Sequence, residues 1–241
     1  MHGIIYARFP DAKIVDLARD IPPQWPPEAG FWVSRSYPYF PGGTVHVAIV
    51  DPGLGTDRDI LLVDHDQHVF VAPDNGLLGR LLDDAVGADV FKLDPGCLDS
   101  LGIADPSASF HGRDIFAPIA AELAAGRITP GDVGQATRDW TPAWLDEPEL
   151  HAGTVTGVVI TFDSFGNLIT NIDAALLKDF EEPIIVIAGL RLPLLETYSK
   201  ARPGEYLALV NSFGVIEIAR AEGNAANNLG ADRGAPVVVT T

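Results

Sequence analysis

Apolar residues fall in short blocks along the chain, and the spacing of those blocks changes about halfway. In the first half, strand-like runs alternate with helix-like stripes. KIVDL (13–17) predicts a strand, a Pro-rich turn follows, EAGFWVSRSYPYF (28–40) predicts a helix and VHVAIVD (45–51) another strand. DILLVDHD (59–66) and HVFVAPDN (68–75) are separated only by a short polar turn, which makes them a hairpin or a neighbouring pair. GLLGRLLDDA (76–85) carries leucines at helical spacing, FKLD (91–94) is a short strand, and GRDIFAPIAAELAAG (112–126) is a helix that stops at Gly126. This is an α/β pattern, a Rossmann-like sheet with helices, assigned to residues 1–138.

From 131 to 149 the pattern becomes loop-like, with Pro142 and Pro148 marking a connection that we set at 139–150. Beyond it the chain turns strand-like. TVTGVVITFD, LITNI, PIIVIAGLRLPLL, EYLALVN, GVIEIARAEG and PVVVTT are punctuated by the turn signals SFGN and NSFG. An all-β domain over 151–241, a small barrel or a sandwich, is the natural reading. There is no internal repeat.

Composition narrows the function classes. No apolar run is long enough to span a bilayer, and the start of the chain lacks the pattern of a signal peptide, so a cytoplasmic protein with no membrane association is expected. The net charge of −17, from 33 acidic and 16 basic residues, disfavours nucleic acid and anionic surfaces and favours a cationic ligand. The single Cys97 permits neither an intramolecular disulfide nor a thiolate zinc cluster.

Candidate chemistry sits at strand ends and turns. Asp51 closes a strand, the turn PGLGT follows, and Arg58 comes seven residues later, which brings a carboxylate and a guanidinium to the rim of a sheet. A strand-end Asp capping its own turn beside an exposed Arg explains this segment equally well. The glycines do not form a phosphate loop, because neither a Gly-Lys-Ser/Thr ending nor G-x-G-x-x-G spacing is present. His111 stands just before a helix, where an imidazole tends to be neutral, while Asp114 is better suited to supporting the helix start. The DHDQH run (64–68) is assigned to a solvated hairpin tip, and His2, His46 and His151 to no constellation. In the second half, Phe165 can stack on a planar base and Asn167 can donate and accept, although an Asx turn with Asp163 and a buried Phe is the commoner meaning. Glu217 interrupts an apolar strand, so its carboxylate faces either solvent or a ligand.

Taken in order, VDPGLGTDR, APDNGLL, FHGRDIFAP, FDSFGN with ITNI, and NSFG with IEIA resemble the S-adenosyl-L-methionine hydroxide adenosyltransferase family over nearly the whole chain. The resemblance implies an N-terminal α/β domain, a C-terminal β-barrel, and a homotrimer with sites at subunit interfaces. It implies cleavage of S-adenosyl-L-methionine by water to adenosine and L-methionine. The family's catalytic residues fall on Asp51, Arg58 and His111, and its adenosine contacts on Asn167, Ser212 and Glu217. Phe165 is then a stacking neighbour, and Asp163 aligns with a carboxylate that meets the methionine ammonium in related halogenating enzymes. In those enzymes tyrosine replaces the residue matching Asp51 and the histidine is missing, which argues here for water over halide. No metal and no cofactor is implied, since S-adenosyl-L-methionine is itself the substrate.

The family normally begins with a further strand and a Thr-Asp-Phe-Gly motif whose Asp binds the ribose hydroxyls. The present sequence starts at Met1-His2-Gly3, which resembles a later Met-Lys-Gly point, so weaker folding or binding is expected of it. Two alternatives remain: a non-catalytic adenosine or S-adenosylmethionine binding protein, and a halide-dependent enzyme. A metal-dependent hydrolase using Asp51, Asp74 and His111 is disfavoured by the charge of Arg58.

Overall fold

The computed structural model describes residues 1–145 and 147–241, and the chain divides into two compact units, Met1–Leu145 and Asp146–Thr241. Of the connection expected at 139–150, Asp146 lies outside the described residues.

The first unit contains α1 (His2–Arg8), α2 (Pro26–Ser36), β1 (Val45–Val47), β2 (Ile60–His65), β3 (His68–Pro73), α3 (Gly79–Asp84), β4 (Asp89–Leu93), α4 (Ala117–Ala124), α5 (Pro130–Val133) and β5 (Gly134–Ala136). A π-helical turn, Gly112–Phe116, leads into α4. The strands form one sheet in the order β1-β3-β2-β4-β5.

This sheet departs from the Rossmann-like expectation. Only β1 and β3 run parallel, in the register Val45↔Val69, and the other three pairs are antiparallel. For β2 and β3 the cause is local: Asp66 (φ 48°) and Gln67 (φ 65°) make a two-residue turn, and so short a link can join only antiparallel strands. Both faces of the sheet are covered, which explains why β2 and β3 read as unbroken apolar runs. Leu61, Val63 and Phe70 pack on one side with Val33 of α2 and Leu81 of α3. Leu62 and Val71 pack on the other side with Phe116, Ile119 and Leu123. A methyl group on Gly30 of α2 would lie 2.2 Å from the Leu77 carbonyl oxygen, so only glycine allows this close approach.

Two further expectations fail. KIVDL is not a strand: among the described residues no strand pairs with it, and Val15 and Leu17 are exposed. The segment after Gly131 is not simply loop, since α5 and β5 occupy it and β5 pairs with β4. Regular pairing in VHVAIVD stops at Val47, although the Ala48 amide still donates to the Val71 carbonyl at 3.1 Å.

The second unit contains β6 (Glu149–His151), β7 (Thr154–Phe162), β8 (Leu168–Asp173), β9 (Ile184–Ile187), β10 (Leu190–Pro193), β11 (Tyr206–Val210), β12 (Val215–Arg220), α6 (Ala225–Leu229) and β13 (Pro236–Thr240). Seven strands follow the order β10-β9-β13-β7-β8-β12-β11, and β6 pairs with β7. Leu194 bridges to Ala208 and the Leu195 amide donates to the Ala208 carbonyl at 2.7 Å, which brings the end of β10 onto β11 and nearly closes a barrel. Val155, Leu168, Ile185, Ile216 and Val237 fill its interior. No helix among the described residues is long and apolar enough to cross a membrane.

Candidate active site

In the first unit the structure brings Asp51, Arg58 and His111 together. Asp51 follows the β1 segment, and its carbonyl accepts from the Leu54 amide at 3.3 Å. Thr56 closes the same loop, with its amide and its hydroxyl both donating to the Gly53 carbonyl, at 3.1 and 2.7 Å. The loop returns the chain so that Arg58 Nε donates to Asp51 Oδ1 at 2.7 Å while Nη2 donates to Oδ2. Both side chains are buried, at 8% and 6% exposure, so the pair is shielded from the screening that weakens surface ion pairs. The guanidinium also lies over the Phe116 ring, 5.8 Å from its centroid.

His111 enters from the segment before the π turn, and its Nδ1 lies 3.5 Å from Arg58 Nη2. Arg58 can donate to that nitrogen only when it carries no proton. Asp114 accepts from the Ser107 amide at 3.0 Å and pairs with Arg113, so it braces the loop that delivers His111. Its pKa is held down first by the Arg113 hydrogen bond.

Asn75, from APDNGLL, is a support that residue-by-residue reading left without a role. Its side-chain amide donates to the Val50 carbonyl at 2.9 Å, its Oδ1 accepts from the Leu77 amide at 3.2 Å, and its own carbonyl accepts from Trp144 Nε1 at 2.5 Å. These bonds fix the backbone immediately before Asp51. Asp74 does not join Asp51, Arg58 and His111: Oδ1 accepts from the Thr141 amide at 2.7 Å and Oδ2 lies 3.8 Å from Lys92 Nζ. Among the described residues, no group of three His, Cys, Asp or Glu side chains is placed to hold a metal ion.

In the second unit, Asp163–Asn167 turns from β7 into β8. Asp163 Oδ1 accepts from the amides of Phe165 (2.9 Å) and Asn167 (2.8 Å), and Oδ2 accepts from Asn167 Nδ2 (2.9 Å). The turn is therefore an Asx turn as composition suggested, but Phe165 is 75% exposed rather than buried. Asn167 Nδ2 gives one hydrogen to Asp163, which leaves its second N–H and its carbonyl oxygen for a ligand. The Ala226 amide of α6 donates to the Gly166 carbonyl at 2.9 Å and holds the turn from behind.

Glu217 stands on β12 opposite Leu209 of β11 and Ile169 of β8, and it is only 4% exposed. Its carboxylate accepts from the Tyr198 hydroxyl and from the Asn211 side-chain amide. Burial pushes its pKa up, these two bonds oppose the rise, and the nearby charge of Asp163 adds to it. Ser212 lies exposed in the adjoining turn, where Asn211 Oδ1 accepts from the Phe213 and Val215 amides at 3.0 and 3.3 Å. Tyr198 had no signal in the sequence, because only tertiary folding brings it to Glu217.

The histidine assignments need correction. His68 is buried, not part of a solvated tip, and His46 Nε2 lies 3.0 Å from its Nδ1. His46 also stacks on Phe70 at 4.9 Å between centroids. The pairing depends on the parallel register of β1 and β3, which alternation alone does not reveal.

Comparison with known proteins gives full-length matches. The family model described as SAM hydroxide adenosyltransferase N-terminal domain matches residues 1–134, and the corresponding C-terminal domain matches residues 157–238. A protein of Thermus thermophilus named (R)-S-adenosyl-L-methionine hydrolase is 37% identical, covering 98% of this chain and 91% of its own. One of the same name from Salinispora tropica is 36% identical, covering 99% and 90%. The crystal structure of an uncharacterised conserved protein from Thermotoga maritima superposes with a TM-score of 0.87 at 28% identity, covering all of this chain and 93% of that one.

Proposed function

The chain belongs to the SAM hydroxide adenosyltransferase family, and from that premise we propose that it hydrolyses S-adenosyl-L-methionine to adenosine and L-methionine in the cytoplasm. The single observation that carries the reading is the buried Asp51–Arg58 pair with His111 beside the same guanidinium.

The chemistry asks little of the enzyme beyond a positioned nucleophile. Water attacks the 5′ carbon in line with the departing sulfur, the carbon–oxygen bond forms as the carbon–sulfur bond breaks, and the electron pair of the broken bond neutralises the sulfonium. The leaving thioether needs no proton. The water must lose one, and Asp51 or His111 receives it. The two-pronged grip of Arg58 takes one lone-pair direction on each Asp51 oxygen and leaves another for the water. A nucleophile held in place in this way loses little further freedom as it reacts.

In the second unit, the Asn167 carbonyl and the Glu217 carboxylate are acceptors for hydrogen-bond donors of adenosine, Ser212 adds a hydroxyl, and the exposed Phe165 ring supplies a stacking face. Asp163 orients Asn167, and its Oδ2, which accepts one bond within the turn, keeps a lone-pair direction for the methionine ammonium that the resemblance implies. We further propose a homotrimer with its sites at subunit interfaces. In support, the large apolar residues Leu54 and Phe110, close in sequence to Asp51 and His111, are exposed, as is Phe165. The reaction as proposed uses no metal and no redox cofactor.

The test is incubation of the purified protein with S-adenosyl-L-methionine, with and without fluoride or chloride, followed by chromatography. Adenosine and methionine in equal amounts, whatever the halide, is the expected result. A 5′-haloadenosine product would assign the nucleophile to halide instead, although the Asp51 carboxylate would repel such an anion. Adenosine binding without turnover would make the chain a binding protein.

A further inference from the structure

Glu217 poses a physical problem that the hydrolysis itself does not address. It lies in the middle of β12 with its neighbours Ile216 and Ile218 packed in the barrel interior, while Leu209 and Ala219 belong to a separate apolar cluster with Leu207. A carboxylate in such surroundings takes up a proton unless donors hold it ionised. A protonated acid would then offer a donor where the substrate needs an acceptor.

We propose that Tyr198 is a positioning residue of the nucleoside site, its hydroxyl holding the buried Glu217 carboxylate in the orientation and charge state that accept a hydrogen bond from the substrate. The inference rests on the reading of Glu217 as an adenosine contact. Tyr198 begins a short 3₁₀ turn, Tyr198–Lys200, that lies outside the strand ladder, and the residue is 45% exposed, so it reaches from the surface to the carboxylate. The hydroxyl takes one oxygen, Oε1, and leaves lone pairs on the carboxylate unused.

The other groups facing Glu217 cannot substitute for it. Asn211 is already committed at its own oxygen to the Phe213 and Val215 amides, and contributes one amide donor. Asp163, from the turn after β7, carries the same charge as Glu217 and opposes its ionisation. Leu209 of β11 and Ile169 of β8, the residues paired with Glu217, are apolar. The hydroxyl of Tyr198 is thus one of two bonds opposing burial and Asp163. The balance is reciprocal, and the phenol pKa is raised by burial and by its bond to Glu217.

A bond to the charged form lowers a carboxyl pKa, so its removal raises it, and binding that needs the carboxylate then fails at a higher pH. The experiment is calorimetric titration with adenosine from pH 5 to pH 9, on the wild-type protein, Tyr198→Phe, Glu217→Gln and the double variant. In Tyr198→Phe the pH below which affinity is lost should rise by about one unit, since a bond to a charged group is worth that much. With S-adenosyl-L-methionine, KM should rise in acid more than kcat falls. Glu217→Gln should lose that pH dependence, and adding Tyr198→Phe to it should change little. Superposable wild-type and Tyr198→Phe profiles in a protein that binds adenosine would overturn this inference and leave the hydrolase reading intact. So would an unaltered profile in Glu217→Gln. A wild-type protein that neither binds adenosine nor forms it would overturn the proposed function and this inference with it.

Discussion

Arg58 reaches Asp51 with two nitrogens and lies over Phe116, so its planar head is fixed at an edge and on a face. A lysine would supply the charge without the fork. Asp51→Asn and His111→Ala should each lower turnover by about 10²–10⁴-fold, the range for a lost acid–base group, while adenosine affinity changes little. Steady-state assays paired with calorimetry check both parts, and unchanged rates in both variants would remove these residues from the mechanism. Asp51→Ala is a different experiment, because it strands the buried guanidinium. It should cost about 3–5 kcal/mol of stability in urea unfolding at neutral pH. At this scale the sequence was informative where motifs are local: VDPGLGTDR and FHGRDIF pointed to Asp51, Arg58 and His111. It was silent on Tyr198, which lies nineteen residues from Glu217 and shares no turn with it.

The elements set how firmly these residues are held. Gly166 has φ 81°, and a methyl group there would lie 2.1 Å from the Asn224 side chain, whose oxygen accepts from the Asn227 amide to cap α6. Gly166→Ala should therefore disturb the turn and the cap together, costing about 1–3 kcal/mol and weakening adenosine binding. Thermal unfolding and titration of the same sample would measure both. In the first unit, His46 has its pKa lowered to about 4, first by burial and then by His68. The unfolded chain binds that proton near pH 6.5 and the folded chain refuses it until about pH 4. This contribution to stability is accordingly complete above pH 6.5 and is lost as the pH falls toward 4. The urea midpoint should drop across that window, and His46→Phe should show a shallower drop; equal slopes would assign the acid sensitivity to other groups.

For the whole molecule, the proposed trimer predicts a sedimenting species of about three times the 25.7 kDa chain mass, and a monomer that keeps full activity on dilution would exclude shared sites. The same scale separates what the sequence determined by itself from what folding decided. Apolar runs separated by a short polar turn marked β2 and β3 as a neighbouring pair, and the closely spaced strand patterns after residue 150 marked a strand-rich unit, because side-chain period reports burial directly. The directions of β1, β4 and β5 in the first sheet, the near-closure of the barrel through Leu194 and Ala208, the failure of KIVDL to pair, and the contacts His46–His68 and Tyr198–Glu217 were decided only in three dimensions. Each depends on which distant segments become neighbours. A hydrophobic pattern states which side of a residue is buried and leaves open what it is buried against.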